Sequence, residues 1–244
     1  MRVFLKVCLI VVGVAVLLPL AALAWLFFDS RGLPDFRSLA NFTPSTLTQV
    51  SDPCLRTNEP VFAASYSGIG PVMRAALTAA EGGVDYPGPL ESFYLALTKQ
   101  SASKPILSYQ IVKTMFCQSS ADRSVNHEID SLRLTVQLER HYSHRELFTI
   151  FANRVYFAEG QYGVVAAARH FFHKEPSELD IEEAALLAGL PRAPVRYSPR
   201  LHPDLAVQRR NQVIDEMVAA QAISASDGVS AKSAPLTISV TEQR

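Results

Sequence analysis

The stretch that decides the fold is residues 153–168, which read NRVYFAEGQYGVVAAA. Two glycines, Gly160 and Gly163, interrupt the aromatic residues, and a run of valine and alanine follows them. Glycine adopts backbone conformations that other residues avoid, and alanine is the strongest helix former. The pattern is typical of turns, caps and close packing, within a part of the chain that is predicted to be helical.

The segments on either side of this stretch also carry helix signals. Residues 143–146, SHRE, form a capping box that opens one predicted helix. Residues 180–183, DIEE, form a second box before a helix rich in alanine and leucine, which Pro191 ends. Helical spacing of apolar residues predicts two more helices, over residues 128–142 and 203–220. Most of the chain is therefore predicted to be helical.

The amino-terminal part of the predicted domain is less regular. Residues 71–81, PVMRAALTAAE, begin with a proline that suits a first helical turn, and two glycines stop the helix. Residues 29–65 are rich in proline and are interpreted as a juxtamembrane connector, with residues 45–50 as a short strand or an extended arm. Residues 82–105 are predicted to be loops. Residues 224–244 are interpreted as a polar tail that ends in a short strand.

An uncharged segment lies near the amino terminus. Residues 7–28 are 22 residues without one charge, which is long enough for a helix to cross a hydrocarbon core of about 30 Å. Arg2 and Lys6 precede the segment, so the positive-inside tendency predicts a cytoplasmic amino terminus. Residues 1–28 are therefore interpreted as a cytoplasmic stub and a transmembrane anchor. A cleaved signal peptide ending near residues 22–24 and a buried core helix are the alternatives.

Composition and cysteine count exclude several classes of protein. Lys and Arg together number 23, as do Asp and Glu, and this balance argues against a nucleic-acid-binding protein, whose surface would be basic. The apolar content of 48% excludes a disordered chain. Three cysteines exclude a disulfide-framework miniprotein. Cys8 would lie in the membrane, whereas Cys54 and Cys117 would lie in an oxidising compartment, where the sequence leaves their pairing open.

Together these segments resemble the peptidoglycan glycosyltransferase family. That family comprises the glycan-polymerising domain of class A penicillin-binding proteins and the monofunctional transglycosylases. The similarity is nearly continuous over residues 138–217 and includes residues 182–194, EEAALLAGLPRAP. The apolar anchor, the proline-rich connector and the Ala-Ala-Glu end of a helix at residues 79–81 fit as well. The resemblance implies a monofunctional protein with a transglycosylase-like domain over residues 66–223.

The resemblance also implies a fold and a reaction. The expected fold is all-α and lysozyme-like, with a groove at the membrane surface and one N-terminal transmembrane helix. In the family, a glutamate acts as general base on the 4-hydroxyl of the acceptor sugar, whose oxygen attacks the anomeric carbon of lipid II and releases undecaprenyl pyrophosphate. Lysine and arginine, often with a divalent metal such as Mg or Mn, steady the pyrophosphate.

The implied location and partners follow from that reaction. The chain is expected in the inner membrane, with a single pass and with its main domain in the periplasm. Its implied partners are lipid II or a nascent glycan strand, membrane lipid and other wall-synthesis proteins. No nucleic acid is expected among them.

Four residues match site positions of the family. Glu81 matches the general base, and its place at a helix carboxyl end, where the helix dipole disfavours a carboxylate, favours a functional role. Gln110, Lys113 and Arg123 match substrate-binding positions, of which the two basic ones contact pyrophosphate in the family. The alternative for Glu81 and Lys113 is a solvated surface side chain. The sequence GGVD at residues 82–85 is shorter than the family's segment after its glutamate.

Ser131 stands where the family has its second glutamate, eight residues before Glu139. Glu128 and Asp130 replace basic residues that precede this position in the family, and Ala158 replaces a usual glycine. A serine cannot supply the missing negative charge, and Glu128 would project one turn away along the helix. The sequence therefore predicts that the second carboxylate of the catalytic pair is missing.

Three functions remain open from the sequence. The first is an active or weakly active peptidoglycan glycosyltransferase. The second is a catalytically inactive relative that serves as a binding or interaction partner in wall synthesis. The third, a hydrolase on a lysozyme-like helical domain, is disfavoured because the sequence places no acid and nucleophile pair of carboxylates. The loss at Ser131 favours impaired or absent polymerisation.

Overall fold

The protein is described here as a computed structural model. The structure describes residues 37–44, 46–50, 61–82, 107–115 and 125–239, with scattered positions between 13 and 33. The predicted membrane segment lies mostly outside these residues, as do Cys8, Cys54, Cys117 and Arg123. Within the described ranges, no helix has both the length and the apolar character needed to cross a membrane.

The described chain is mostly helical, as predicted, with one small two-stranded sheet. The strands β1 and β2 pair antiparallel, with Gln49 opposite Phe62, so the strand predicted within the connector is present. The elements up to the first long gap are a 3-10 helix at Arg37–Phe42, β1 at Thr48–Val50, β2 at Val61–Ala63 and helix α1 at Pro71–Glu81.

Seven further α-helices lie in the described residues. They are α2 at Leu107–Met115, α3 at Val125–His141, α4 at His144–Arg154, α5 at Val164–Phe172, α6 at Ile181–Gly189, α7 at Pro203–Ala219 and α8 at Ala225–Ser233. The capping box that opens α4 is confirmed, because the Ser143 hydroxyl accepts a hydrogen bond from the Glu146 amide and the Glu146 carboxylate accepts one from the Ser143 amide. At the start of α6, the Glu183 carboxylate accepts a hydrogen bond from the Asp180 amide.

Helix α1 carries Glu81 and is fixed firmly in the core. Gly82 adopts a left-handed conformation, with φ of 112°, and caps the helix at its carboxyl end. Met73 and Leu77 are fully buried, and α1 packs against α6 and α7. Arg74 and Glu81 are half-buried and, being seven residues apart, lie on one side of the helix. The candidate base therefore extends from a helix that is held in the core.

The stretch at residues 153–168 forms the end of α4, a turn and the start of α5. The Asn153 side chain is fully buried, and its Oδ1 accepts a hydrogen bond from the Ala64 amide at 2.9 Å. Its Nδ2 donates to the carbonyls of Phe42 and Ala64 at 2.9 and 2.8 Å. Gly163 has φ of 82°, and a Cβ there would lie 2.6 Å from the Asn153 carbonyl oxygen. These contacts join the carboxyl-terminal helices to the connector.

The carboxyl-terminal segment differs from the prediction. Instead of a polar tail without helix, residues 225–233 form α8, which packs against α7. The Ser224 hydroxyl caps this helix by accepting a hydrogen bond from the Asp227 amide at 3.1 Å. Residues 235–239 form no strand, although the Ser239 amide donates to the Phe171 carbonyl at 2.7 Å. The prediction failed because the small polar residues of this segment resemble a loop, although Ser224 is a capping residue that starts a helix.

Candidate functional site

Glu81 and Gln110 meet although 29 residues separate them in the sequence. Glu81 is the last residue of α1, and Gln110 extends from α2. The Gln110 side-chain amide donates a hydrogen bond to Oε2 of Glu81. The structure thus joins two of the predicted site residues. It gives Gln110 a contact with the candidate base, which the sequence did not predict, since the family motif implied a contact with substrate.

Lys113 lies one turn after Gln110 on α2. Residues three apart share one side of a helix, so this position lies on the same side of α2 as the residue that contacts Glu81. The Lys113 side chain lies outside the described residues, as does all of Arg123. A groove shared by Lys113 and Glu81 stays a prediction.

Ser131 is nearly closed off from solvent, with 4% of its surface exposed. It lies on α3, and its carbonyl accepts a hydrogen bond from the Thr135 hydroxyl at 2.8 Å. Helix α3 is continuous from Val125 to His141, so no irregularity interrupts the eight-residue spacing that links Ser131 to Glu139. Helix α3 packs against α2, the helix that carries Gln110.

Asp130 is neutralised by a neighbour on its own helix. Its carboxylate accepts a hydrogen bond from Nη1 of Arg133 at 2.9 Å, and Arg133 is buried. The guanidinium carbon of Arg133 also lies 4.3 Å from the ring centroid of Trp25. The spacing of three residues between Asp130 and Arg133 was the sequence signal for this ion pair. Asp130 therefore adds less negative charge beside Ser131 than its sequence position suggests.

Glu139 is a buried carboxylate at the other end of α3. Its side chain is 1% exposed, and neither oxygen makes a hydrogen bond within the described part of the chain. Burial raises the pKa of Glu139, while the nearby Ser108 hydroxyl and His144 partly offset this rise. Nε2 of His144 lies 3.8 Å from the carboxylate. Because Ser108 and Gln110 share α2, the buried carboxyl group lies against the helix that contacts Glu81.

The described residues do not fit a divalent metal. Within the described ranges, no three His, Cys, Asp or Glu side chains cluster closely enough to hold one. Ser131 lacks the carboxylate that the family would supply, and Asp130 is bound to Arg133. The Mg or Mn ion that the resemblance implies therefore lacks a suitable ligand set in this part of the chain.

A second polar cluster surrounds Glu159. Its Oε2 lies 2.9 Å from Nε2 of His170 and 2.8 Å from Nε of Arg200. Its Oε1 accepts a hydrogen bond from the Ser198 hydroxyl at 3.0 Å. Ala158 and Glu159 both have positive φ, 88° and 50°, which turns the carboxylate toward these partners. Since both oxygens are engaged, the cluster holds the turn in place.

Comparisons with known proteins find related sequences. The model of the transglycosylase family matches residues 55–218. Penicillin-binding protein 1A of Aquifex aeolicus is 29% identical over 250 residues, which cover 96% of this chain and 34% of the relative. Penicillin-binding protein 1A of Streptococcus oralis is 37% identical over 132 residues, which cover 54% of this chain and 21% of the relative.

A solved structure is also similar to this chain. The crystal structure of penicillin-binding protein 1A from Haemophilus influenzae is 25% identical, with a TM-score of 0.38 over 58% of this chain and 18% of that one. The chain spans about a third or less of the length of the relatives described here.

The fold and the site define a mostly helical domain with a single carboxylate, Glu81, as its candidate base. The family match covers well over half of the chain. The chain belongs to the transglycosylase family, whose relatives include the class A penicillin-binding proteins.

Proposed function

We propose that this chain is a membrane-anchored peptidoglycan glycosyltransferase-like protein that binds lipid II beside Glu81 and polymerises it weakly. The observation that carries the proposal is the hydrogen bond from Gln110 to Glu81. It brings together, from two separate helices, a carboxylate and an amide that match two site positions of the family. A carboxylate has about four lone-pair sites, so it can take a proton from a hydroxyl while it accepts a hydrogen bond from an amide.

In the proposed reaction, Glu81 takes the proton from the 4-hydroxyl of the acceptor sugar. The acceptor oxygen forms a bond to the anomeric carbon of the donor, and the bond from that carbon to the pyrophosphate oxygen breaks. Lys113 and Arg123 are proposed to stabilise the negative charge of the departing pyrophosphate. The location of Lys113 one turn from Gln110 supports this assignment for Lys113.

Weak activity is proposed because of Ser131. A serine offers a hydroxyl where the family has a carboxylate, and losses of this kind cost about 100-fold or more in rate. The alternative is an inactive relative that binds lipid II or another wall-synthesis protein. The burial of Ser131 favours that alternative, because a residue with 4% of its surface exposed has little contact with solvent or with a bound substrate.

The inner membrane and the periplasm are proposed as the location. Val16, Leu17 and Leu18 expose between 52% and 66% of their surface, which is favourable in lipid and unfavourable in water. The uncharged run at residues 7–28 supports the same placement.

The decisive experiment is a lipid II polymerisation assay on the full-length protein in detergent or lipid. We expect weak polymerisation that Glu81→Gln abolishes. Ser131→Glu should raise the rate by about tenfold or more, because Arg133 already offsets the charge of Asp130. Glu175→Gln, which alters a surface carboxylate paired with Arg169, is the matched control and should leave the rate unchanged.

Two other outcomes are informative. Saturable binding of lipid II without polymerisation would favour the inactive relative. Rapid polymerisation that Glu81→Gln does not reduce would contradict the proposed role of Glu81.

A further inference from the structure

Tyr66 is stacked against two arginines from different helices. The guanidinium carbon of Arg74, on α1, lies 4.6 Å from the Tyr66 ring centroid. The guanidinium carbon of Arg145, on α4, lies 4.3 Å from the same centroid. The two guanidinium carbons are therefore separated by no more than the sum of these distances. Tyr66, Arg74 and Arg145 are called the Tyr66 cluster below.

The cluster is held by contacts outside the two cationic groups. Phe148 of α4 meets the Tyr66 ring edge-on, with centroids 5.8 Å apart and an interplanar angle of 74°. Nη1 of Arg74 donates a hydrogen bond to the Tyr66 carbonyl at 2.9 Å. The ring and one guanidinium are thus fixed by the fold, and Arg145 extends from an exposed position beside them.

The two arginines face no carboxylate in the described part of the chain. Two other arginines that stack on aromatic rings do have one. Arg133 pairs with Asp130 while it lies over Trp25, and Arg169 pairs with Glu175 while it lies over Phe62.

The carboxylate nearest to Arg145 in the sequence is also engaged elsewhere. Glu146 accepts hydrogen bonds from the amide and the hydroxyl of Ser143. The positive charge of the Tyr66 cluster is therefore uncompensated among the described residues.

The N–H groups of the Tyr66 cluster outnumber the hydrogen-bond acceptors that the described residues offer them. A guanidinium carries five N–H groups, and only one of those on Arg74 is used within the described residues. The Tyr66 hydroxyl makes no hydrogen bond there either. Two like charges on one ring repel each other, and an anion with several acceptor oxygens would relieve that repulsion. Arginine forks match the oxygens of phosphate in pairs.

We propose that the Tyr66 cluster is a binding site for a phosphate group. Two sources supply this chemistry: a phosphodiester of a lipid headgroup, and free inorganic phosphate. Arg74 lies seven residues before Glu81 on α1, so the cluster is on the same side of that helix about 10 Å away. Phosphate binding at this site does not depend on proton transfer at Glu81, so it can be tested separately from the proposed polymerisation.

The test is calorimetric titration of the full-length protein in neutral detergent, at constant ionic strength set with chloride. The two probes are inorganic phosphate and glycerophosphoglycerol, a soluble phosphodiester headgroup. We expect saturable binding of at least one probe, and about tenfold weaker binding in Arg145→Gln and in Arg74→Gln, since each removes charged hydrogen bonds. Binding of glycerophosphoglycerol identifies a lipid headgroup as the source, and binding of phosphate alone identifies the free ion.

Arg196→Gln is the matched control. Arg196 also lies over a tyrosine, with its guanidinium carbon 5.8 Å from the Tyr197 centroid, but no second arginine of the described residues lies over that ring. This variant should bind both probes as the wild-type protein does. Absence of saturable binding by either probe, or equal binding after Arg74→Gln and Arg145→Gln are combined in a folded protein, would overturn the proposal.

Discussion

The turn around Asn153 and the site around Glu81 differ in how completely their buried polar atoms are hydrogen-bonded. In the turn, each polar atom of the Asn153 side chain has a backbone partner at 2.8 to 2.9 Å. Near the site, the Glu139 carboxylate and the Ser108 hydroxyl are buried without hydrogen bonds in the described residues. The polar groups of the turn are therefore fully paired, whereas the region beside Glu81 buries polar atoms without partners among the described residues.

This difference has a physical origin. A scaffold contact such as that of Gly163 against Asn153 leaves no space for a Cβ, so any other residue disturbs the whole fold. Ser131, by contrast, lies within a continuous helix, where the backbone conformation does not require one residue type. Gly163 is therefore restricted by packing and backbone conformation, whereas position 131 is not restricted by its backbone.

The largest expected effect is that of Asn153→Ala. Removal of the side chain leaves the Ala64 amide, the Ala64 carbonyl and the Phe42 carbonyl buried without their partner. Each lost partner costs about 1–3 kcal/mol, so we expect a loss of about 4 kcal/mol or more in the free energy of unfolding. Urea denaturation followed by circular dichroism measures it. Asn41→Ala, at an exposed asparagine, should change stability by about 0.5 kcal/mol or less.

Gly163→Ala should have the next largest effect. The new Cβ would lie 2.6 Å from the Asn153 carbonyl oxygen, and φ is 82°. We expect a loss of about 3 kcal/mol from the combined clash and strain.

Gly160→Ala is the control that separates the two causes of the Gly163 effect. Gly160 has nearly the same φ, 80°, but open space around its Cβ. It should lose only about 1 kcal/mol, from strain alone. Equal losses in the two variants would show that the clash with Asn153 does not matter.

Glu139 should make stability depend on pH. Burial raises its pKa above 4.5 in the folded protein, so the folded state holds this proton more tightly than the unfolded state. The contribution of Glu139 is fully present below pH 4.5 and is lost as the pH rises through its folded pKa. Glu139→Gln should remove this decline and be more stable than the wild-type protein at pH 8, by on the order of 1 kcal/mol.

Denaturation midpoints from pH 5 to pH 8 test this expectation. Glu178→Gln, at an exposed glutamate, is the control and should follow the wild-type pH dependence. A Glu139→Gln variant that loses stability with rising pH as the wild type does would contradict an uncompensated buried carboxylate.

The sequence was sufficient to predict features that depend on neighbours in the chain. The capping box at Ser143 and the helix that ends at Glu81 were both predicted, because each signal lies within a few residues of its effect. Helix α8 was missed although Ser224 was a readable cap. The ion pair of Asp130 with Arg133 was also missed, although its spacing is local.

Features that depend on distant residues were not predictable in the same way. The Asn153 side chain contacts residues 89 and 111 positions away in the sequence, and Gln110 contacts Glu81 across 29 positions. The family resemblance implied that Gln110 and Glu81 belong to one site, but it did not give their contact. Only the packing of α1 and α2 brings those two side chains together.

The smallest expected effect, and the one of opposite sign, belongs to Ala158. Its φ of 88° is a conformation that costs an L-residue about 1 kcal/mol or more, and the family usually has glycine there. Ala158→Gly relieves that strain but adds freedom to the unfolded chain, so the net gain should be about 0.5–1 kcal/mol. Urea denaturation measures this gain against Ala168→Gly, an equally buried alanine inside α5, which should lose about 1 kcal/mol or more. If both substitutions destabilise the protein alike, then the turn at Ala158 is not strained, and the scaffold is better adapted to its own sequence than the contrast with the site suggests.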